Sequence, residues 1–213
     1  VYRELKILTA RPFKDKHQKI RHHLYGFQNS KINFSTGDWL KIVIKKINKI
    51  HNKKKIPILV GGTGLYFKAL TEGLVEITPI PIKFRNNIRL LQKSIGQKKF
   101  YKKLLKIDPL IAKHIECTDV QRSIRAYEVK LFTKKSIIEW YKSTRSKFKK
   151  KEFFRLYIDY PRSELIEKIN LRTRQMLKKG VVLEVKKFLR LRISNNKSIS
   201  KAIGLAEIND FIK

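Results

Sequence analysis

A short apolar run, Ile56-Pro57-Ile58-Leu59-Val60, passes directly into Gly61-Gly62-Thr63-Gly64 and then into Leu65-Tyr66-Phe67-Lys68-Ala69-Leu70. A continuous apolar run of this length, following a helical pattern, suits a strand buried in a parallel sheet. The segment therefore predicts strand, glycine turn and helix in succession. Upstream, Ser35, Thr36 and Asp38 offer capping side chains, and Trp39, Leu40, Val43, Ile44, Ile47 and Ile50 recur at helical spacing. Lys41, Lys45, Lys46 and Lys49 occupy the opposite face of that helix. Phe153 to Asp159 reads as a second strand, Pro161 opens a helix to about Lys179, and Gly180 stops it. Helices near 181–192 and 200–212 follow.

Between Pro79 and Lys151 the character changes. Helical patterns run over roughly 83–94, 98–106, 109–116, 119–133 and 136–142, with no strand pattern among them. This organisation predicts an α/β core in two parts, residues 1–79 and 152–213, interrupted by a helical insertion over residues 80–151.

Charge narrows the partners. Lys and Arg number 51 against 17 Asp and Glu, a formal net charge of +34 over 213 residues. A hydrophobic share of 42% still suffices to build a core, which excludes wholesale disorder. Such a charge fits a polyanionic partner, because Lys and Arg that neutralise phosphates release counterions. It fits codon bias equally well, since Lys exceeds Arg and Ile and Asn are abundant. The single cysteine, Cys117, excludes an intramolecular disulfide or a cysteine-based zinc site and points to a reducing compartment. No apolar run approaches the roughly 18–20 residues of a membrane span, and no signal peptide opens the chain. A cytoplasmic protein without membrane association is the expectation. Val1 falls inside what reads as a structured element, so the sequence reads as a piece of a longer chain.

Few residue groups could carry chemistry. Thr63 stands where strand meets helix, where backbone N–H groups can approach a phosphate and a hydroxyl can donate to an anionic or leaving oxygen. The glycines could equally serve a tight turn alone. The phosphate loop GxxxxGK[ST] is absent from the chain. In Asp119-Val120-Gln121-Arg122-Ser123-Ile124-Arg125, Arg122 and Arg125 share a helix face near Gln121, which suits a grip on a backbone phosphate and a base edge. The same residues could form a solvated face paired with Asp119 and Glu128. Arg85 and Arg172, taken singly, read as surface charge. His22-His23 lacks partners at metal-ligand spacing, so no metal site is predicted, and His114 with Cys117 makes no catalytic pair.

Taken together and in order, these segments resemble the tRNA dimethylallyltransferases. Residues 56–70 with Glu72-Gly73-Leu74 resemble that family's signature. Val1-Tyr2-Arg3 with Thr9-Ala10-Arg11-Pro12 resembles its VYRG…GTAKP stretch, and His22-His23-Leu24 its HHL. Asp119 to Val129 resembles D..R..RALEV, and Leu171 to Gly180 resembles its R…ML..G helix.

The resemblance implies a P-loop NTPase-like core with a parallel sheet and an inserted helical domain that clasps the tRNA anticodon stem-loop. It implies transfer of a dimethylallyl group from dimethylallyl diphosphate to N6 of the adenosine next to the anticodon, with Mg²⁺ on the diphosphate and a monomeric enzyme. Thr63 then falls at the reaction centre, Arg172 on the donor diphosphate, and Arg85, Gln121, Arg122, Ser123, Ile124 and Arg125 on the tRNA. The sequence also departs from the family pattern. The P-loop and the DSxQ element with its general base would lie ahead of Val1, which leaves the Mg²⁺ without its protein ligand and predicts a truncated, inactive chain. Lys6 and Leu8 replace an acid and a glycine, and Lys201 to Ala206 replaces an aromatic and basic pattern after a glycine. A P-loop small-molecule kinase and a non-catalytic RNA-binding remnant are the alternatives.

Overall fold

A computed structural model describes residues 1–12, 20–32, 34–194 and 197–213. It divides into two compact units, residues 1–59 with 154–213, and residues 60–153.

The first unit holds α1 (Thr36–His51), α7 (Arg162–Lys178), α8 (Val181–Leu189) and α9 (Leu205–Ile212). Ser35 caps α1 through a reciprocal pair: its hydroxyl accepts from the Asp38 N–H at 3.1 Å, and the Asp38 carboxylate accepts from the Ser35 N–H at 3.0 Å. The Ser35 hydroxyl also donates to the Asp38 carboxylate at 2.7 Å, and this bond first, then the one from the Ser35 N–H, hold the Asp38 carboxyl below the usual carboxylate range, with Lys41 adding a smaller pull. Val43 and Ile47 form the buried edge of the helix. Leu5, Val185, Phe188, Ile199 and Leu205 make the unit's main core. The Glu184 carboxylate of α8 accepts from the N–H groups of Ile7, at 2.8 and 2.9 Å, and Leu8, at 2.9 Å, fastening the N-terminal segment over that core. Gly180, at φ +84°, turns the chain between α7 and α8 in a conformation other residues rarely adopt.

The second unit holds α2 (Gly64–Thr71), α3 (Ile82–Ile95), α4 (Gln97–Ile107), a 3-10 helix over Pro109–Lys113, α5 (Val120–Thr133) and α6 (Ile137–Lys142). Helix α5 is central and packs against α3, α4 and α6. Its inward residues Ile124, Ala126, Tyr127 and Val129 meet Ile88, Phe100, Leu104, Ile111 and Ile137, and the Phe100 and Tyr127 rings lie 4.8 Å apart. The Asp119 carboxylate caps α5 by accepting from the Arg122 N–H at 3.0 Å. Beyond α2, Gly73 sits at φ +98°, and a Cβ there would lie 2.3 Å from the Arg145 carbonyl oxygen. The Ser146 hydroxyl donates to the Leu70 carbonyl at 2.8 Å, so the 145–146 backbone closes over the end of α2.

The expected parallel sheet is not formed among the described residues. Among the described residues the only β pairing is an isolated parallel bridge between Tyr2 and Gln28. A strand is defined by the neighbour that takes its hydrogen bonds. Ile56, Ile58, Val60, Phe154, Leu156, Tyr157 and Ile158 are instead 79–91% exposed, while Pro57, Leu59 and Phe153 are half-buried, so among the described residues neither apolar run has a partner strand. No described helix is long and apolar enough to cross a membrane.

Two substitutions test this account. Gly73→Ala is expected to destabilise the chain by about 1–3 kcal/mol in denaturant unfolding, through the positive φ and the contact with Arg145. Ser35→Ala is expected to cost about 1 kcal/mol and to raise the Asp38 pKa. Because the folded pKa of Asp38 is depressed, its contribution is complete above the unfolded value of about 3.9 and lost as pH falls through the lower folded value. NMR titration of Asp38 in the unaltered chain and in Ser35→Ala measures this directly.

Candidate functional site

The glycine turn lies in the second unit. Thr63 occupies the N-cap of α2 with extended backbone, φ −84° and ψ 94°, yet its hydroxyl makes no capping hydrogen bond. Its carbonyl accepts from the Tyr66 N–H at 3.0 Å, leaving the side chain exposed at the helix N-terminus. None of Gly61, Gly62 and Gly64 has positive φ. A Cβ would meet open space at Gly62 and Gly64, and only the Phe67 ring at 3.9 Å at Gly61. Backbone conformation and internal packing therefore do not account for glycine at these positions. A surface kept bare beside a helix N-terminus admits close approach of an anion to backbone N–H groups.

A cationic surface forms between α3 and α5. Glu128 is almost fully buried. Its Oε2 accepts from Arg85 Nε at 3.2 Å and Arg125 Nη1 at 3.4 Å, and Arg89 Nε lies 3.9 Å from Oε1. The three arginine side chains stay 35–41% exposed. Arg122 is further out and pairs with Asp119 at 3.4 Å. The local pairing with Asp119 and Glu128 that the sequence suggested is present, and both arginines nevertheless face solvent. Gln121 is exposed beside them.

Two of the predicted RNA contacts turn inward. Ser123 is fully buried, its hydroxyl accepting from Gln97 Nε2 at 3.2 Å, and Gln97 also donates to the Cys117 carbonyl at 2.8 Å. Ile124 belongs to the core. Their side chains serve packing, because a helix with neighbours on several sides buries every position between its exposed rows. Arg89 escaped the sequence reading. Its signal is the spacing of Arg85 and Arg89, four apart on one face of α3.

Arg172 lies in the first unit, exposed on α7, a helix without a buried residue. His22 Nδ1 lies 3.1 Å from the Ile20 carbonyl oxygen. Partial burial and then the charges of Lys46, Arg21, His22 and Lys49 push the His23 pKa below its usual value. Among the described residues no group of three or more His, Cys, Asp or Glu side chains could hold a metal.

The profile of the family described as IPP transferase matches residues 1–213. The chain is 56% identical over 212 residues to a tRNA dimethylallyltransferase of Pelagibacter ubique (strain HTCC1062), covering all of this chain and 68% of that protein. It is 35% identical to one from Agrobacterium fabrum (strain C58 / ATCC 33970), covering 72% of it. Among solved structures it resembles the full-length tRNA isopentenylpyrophosphate transferase of Bacillus halodurans, with TM-score 0.61, 28% identity, and coverage of all of this chain and 65% of that one. A eukaryotic dimethylallyltransferase acting on tRNA shares the fold over 92% of this chain and 49% of its own, with TM-score 0.74 and 23% identity.

Because the Thr63 hydroxyl caps nothing, Thr63→Ala is expected to leave unfolding stability within about 0.5 kcal/mol of the unaltered chain, measured by thermal denaturation.

Proposed function

This chain belongs to the IPP transferase family, and on that premise we propose that it carries out tRNA modification by prenyl transfer. The donor in this reading is dimethylallyl diphosphate and the acceptor is N6 of the adenosine next to the anticodon. The protein acts as a cytoplasmic monomer built on a P-loop NTPase-like core. The observation that carries the reading is the Gly61–Gly64 turn. Three glycines stand where neither φ nor packing accounts for them, beside a threonine whose hydroxyl caps nothing.

The chemistry follows from that arrangement. The target adenine leaves its stack, since a base within paired or stacked RNA cannot present N6 to a second substrate. N6 attacks the allylic carbon, the carbon–oxygen bond to diphosphate breaks, and pyrophosphate departs with the electron pair. The proton on N6 needs a carboxylate base, the role that the resemblance gives to a DSxQ element these 213 residues do not contain. Thr63 sits at this centre, where its hydroxyl and the adjacent N–H groups stabilise the developing charge. The guanidinium of Arg172 holds the diphosphate through paired N–H donors. Arg85, Gln121, Arg122 and Arg125 hold the RNA, with the arginines mainly on phosphates and Gln121 able to reach a base edge. Magnesium would neutralise the diphosphate, but the described residues offer no carboxylate or histidine cluster for it, and no step is assigned through a protein-bound metal.

Incubation of these 213 residues, joined behind the P-loop and DSxQ segments of a relative, with tRNA, dimethylallyl diphosphate and Mg²⁺, followed by mass analysis of the released nucleosides, is expected to show a prenylated adenosine. Arg172→Ala is expected to raise KM for the diphosphate about tenfold, and Thr63→Ala to lower kcat about a hundredfold. Nucleoside triphosphate turnover without RNA, in place of prenyl transfer, would overturn the reading.

A further inference from the structure

The carboxylate of Glu128 is buried, while the three arginine side chains around it are only half-buried. A buried carboxylate normally has both oxygens occupied by hydrogen bonds. Here Oε2 takes two, from Arg85 and Arg125, and Oε1 is buried without one, with Arg89 Nε 3.9 Å away. Among the described residues none of the three arginines pairs with a second carboxylate. The four side chains thus hold a net charge of +2 in a small volume, where the cations repel one another.

An ion pair formed only for stability would match charge and bury its members together. This group keeps one anion inside and three cations half-exposed to solvent. We propose that Glu128 is a positioning residue that fans Arg85, Arg89 and Arg125 into one cradle for consecutive RNA phosphates, with Arg89 an added phosphate contact. The inference rests on the reading of the chain as a tRNA-modifying protein.

The backbone geometry supports the arrangement. Arg85 and Arg89 lie four apart on α3, and Arg125 and Glu128 three apart on α5, so each pair shares a face and the two faces meet where these helices pack. The carboxylate engages Nε of Arg85 and one terminal nitrogen of Arg125. The remaining N–H donors are left for a partner, and planar guanidinium groups suit the paired oxygens of a phosphate. Backbone phosphates fix the register of an RNA on a protein surface, so the direction of the cradle decides which loop reaches the glycine turn.

Charge and position make opposite demands on a variant. Glu128→Gln raises the net charge by one, which favours any polyanion, and frees the arginines from their common anchor, which penalises only an RNA of matching shape. Fluorescence anisotropy should therefore compare a labelled anticodon stem-loop RNA, with adenosine beside the anticodon, against oligouridine of equal length. In Glu128→Gln, stem-loop affinity is expected to fall about tenfold while oligouridine affinity holds or rises. In Arg89→Gln, which leaves no buried charge unpaired, the slope of log affinity against log salt is expected to drop by about one.

Equal affinities in Glu128→Gln and the unaltered chain, or a proportional loss for both RNAs, overturn the positioning role and leave the functional reading standing. An unchanged salt slope in Arg89→Gln overturns the phosphate contact. An unaltered chain that shows no preference for the stem-loop overturns the reading of function, and this inference with it.

Discussion

Helix α5 must be enclosed by α3, α4 and α6 while carrying a carboxylate on its buried side, and much of the second unit follows from that demand. Apolar contact alone would let α3 slide or turn against α5, since burial is not directional. The Glu128 oxygen shared by Arg85 and Arg125 removes that freedom, because a hydrogen bond to a charged group weakens steeply with misalignment. Gln97 performs the same service between α4 and α5, joining the Ser123 hydroxyl to the Cys117 carbonyl. Polar groups thus set the register of a core whose cohesion is apolar.

The helices were the legible part of the fold. Trp39 to Ile50 signals α1 by its spacing, and the Ser35–Asp38 pair marks its start, because capping chemistry is local and reads directly from residue types. Gly180 marks the break between α7 and α8 for the same reason. The runs at 56–60 and 153–159 have strand composition, but a sheet depends on a distant neighbour that composition does not contain. Ile56 and Tyr157 are exposed where an enclosed sheet would have covered them.

Site residues divide in the same manner. Arg122 and Arg125 face outward as helical spacing implies, while Ser123 and Ile124, within the same motif, are consumed by packing. Sequence adjacency groups residues that a helix then separates by about 100° per step. Arg89 shows the converse: no motif named it, and only the meeting of α3 with α5 brings it to Glu128. Thr63 was legible as a helix start, whereas the idleness of its hydroxyl required coordinates.

The lysine excess gains a meaning from the exposed apolar runs. Lys53, Lys54 and Lys55 lead into Ile56, and Lys149, Lys150 and Lys151 lead into Phe153. Two molecules pairing in parallel along either run would bring these triplets together, at a Coulombic cost that rises as salt is removed. Charged residues flanking an exposed β-prone segment act as gatekeepers against intermolecular pairing. These six of the 51 basic residues are thus placed to act as colloidal protection, holding apart copies whose exposed runs would otherwise template aggregation.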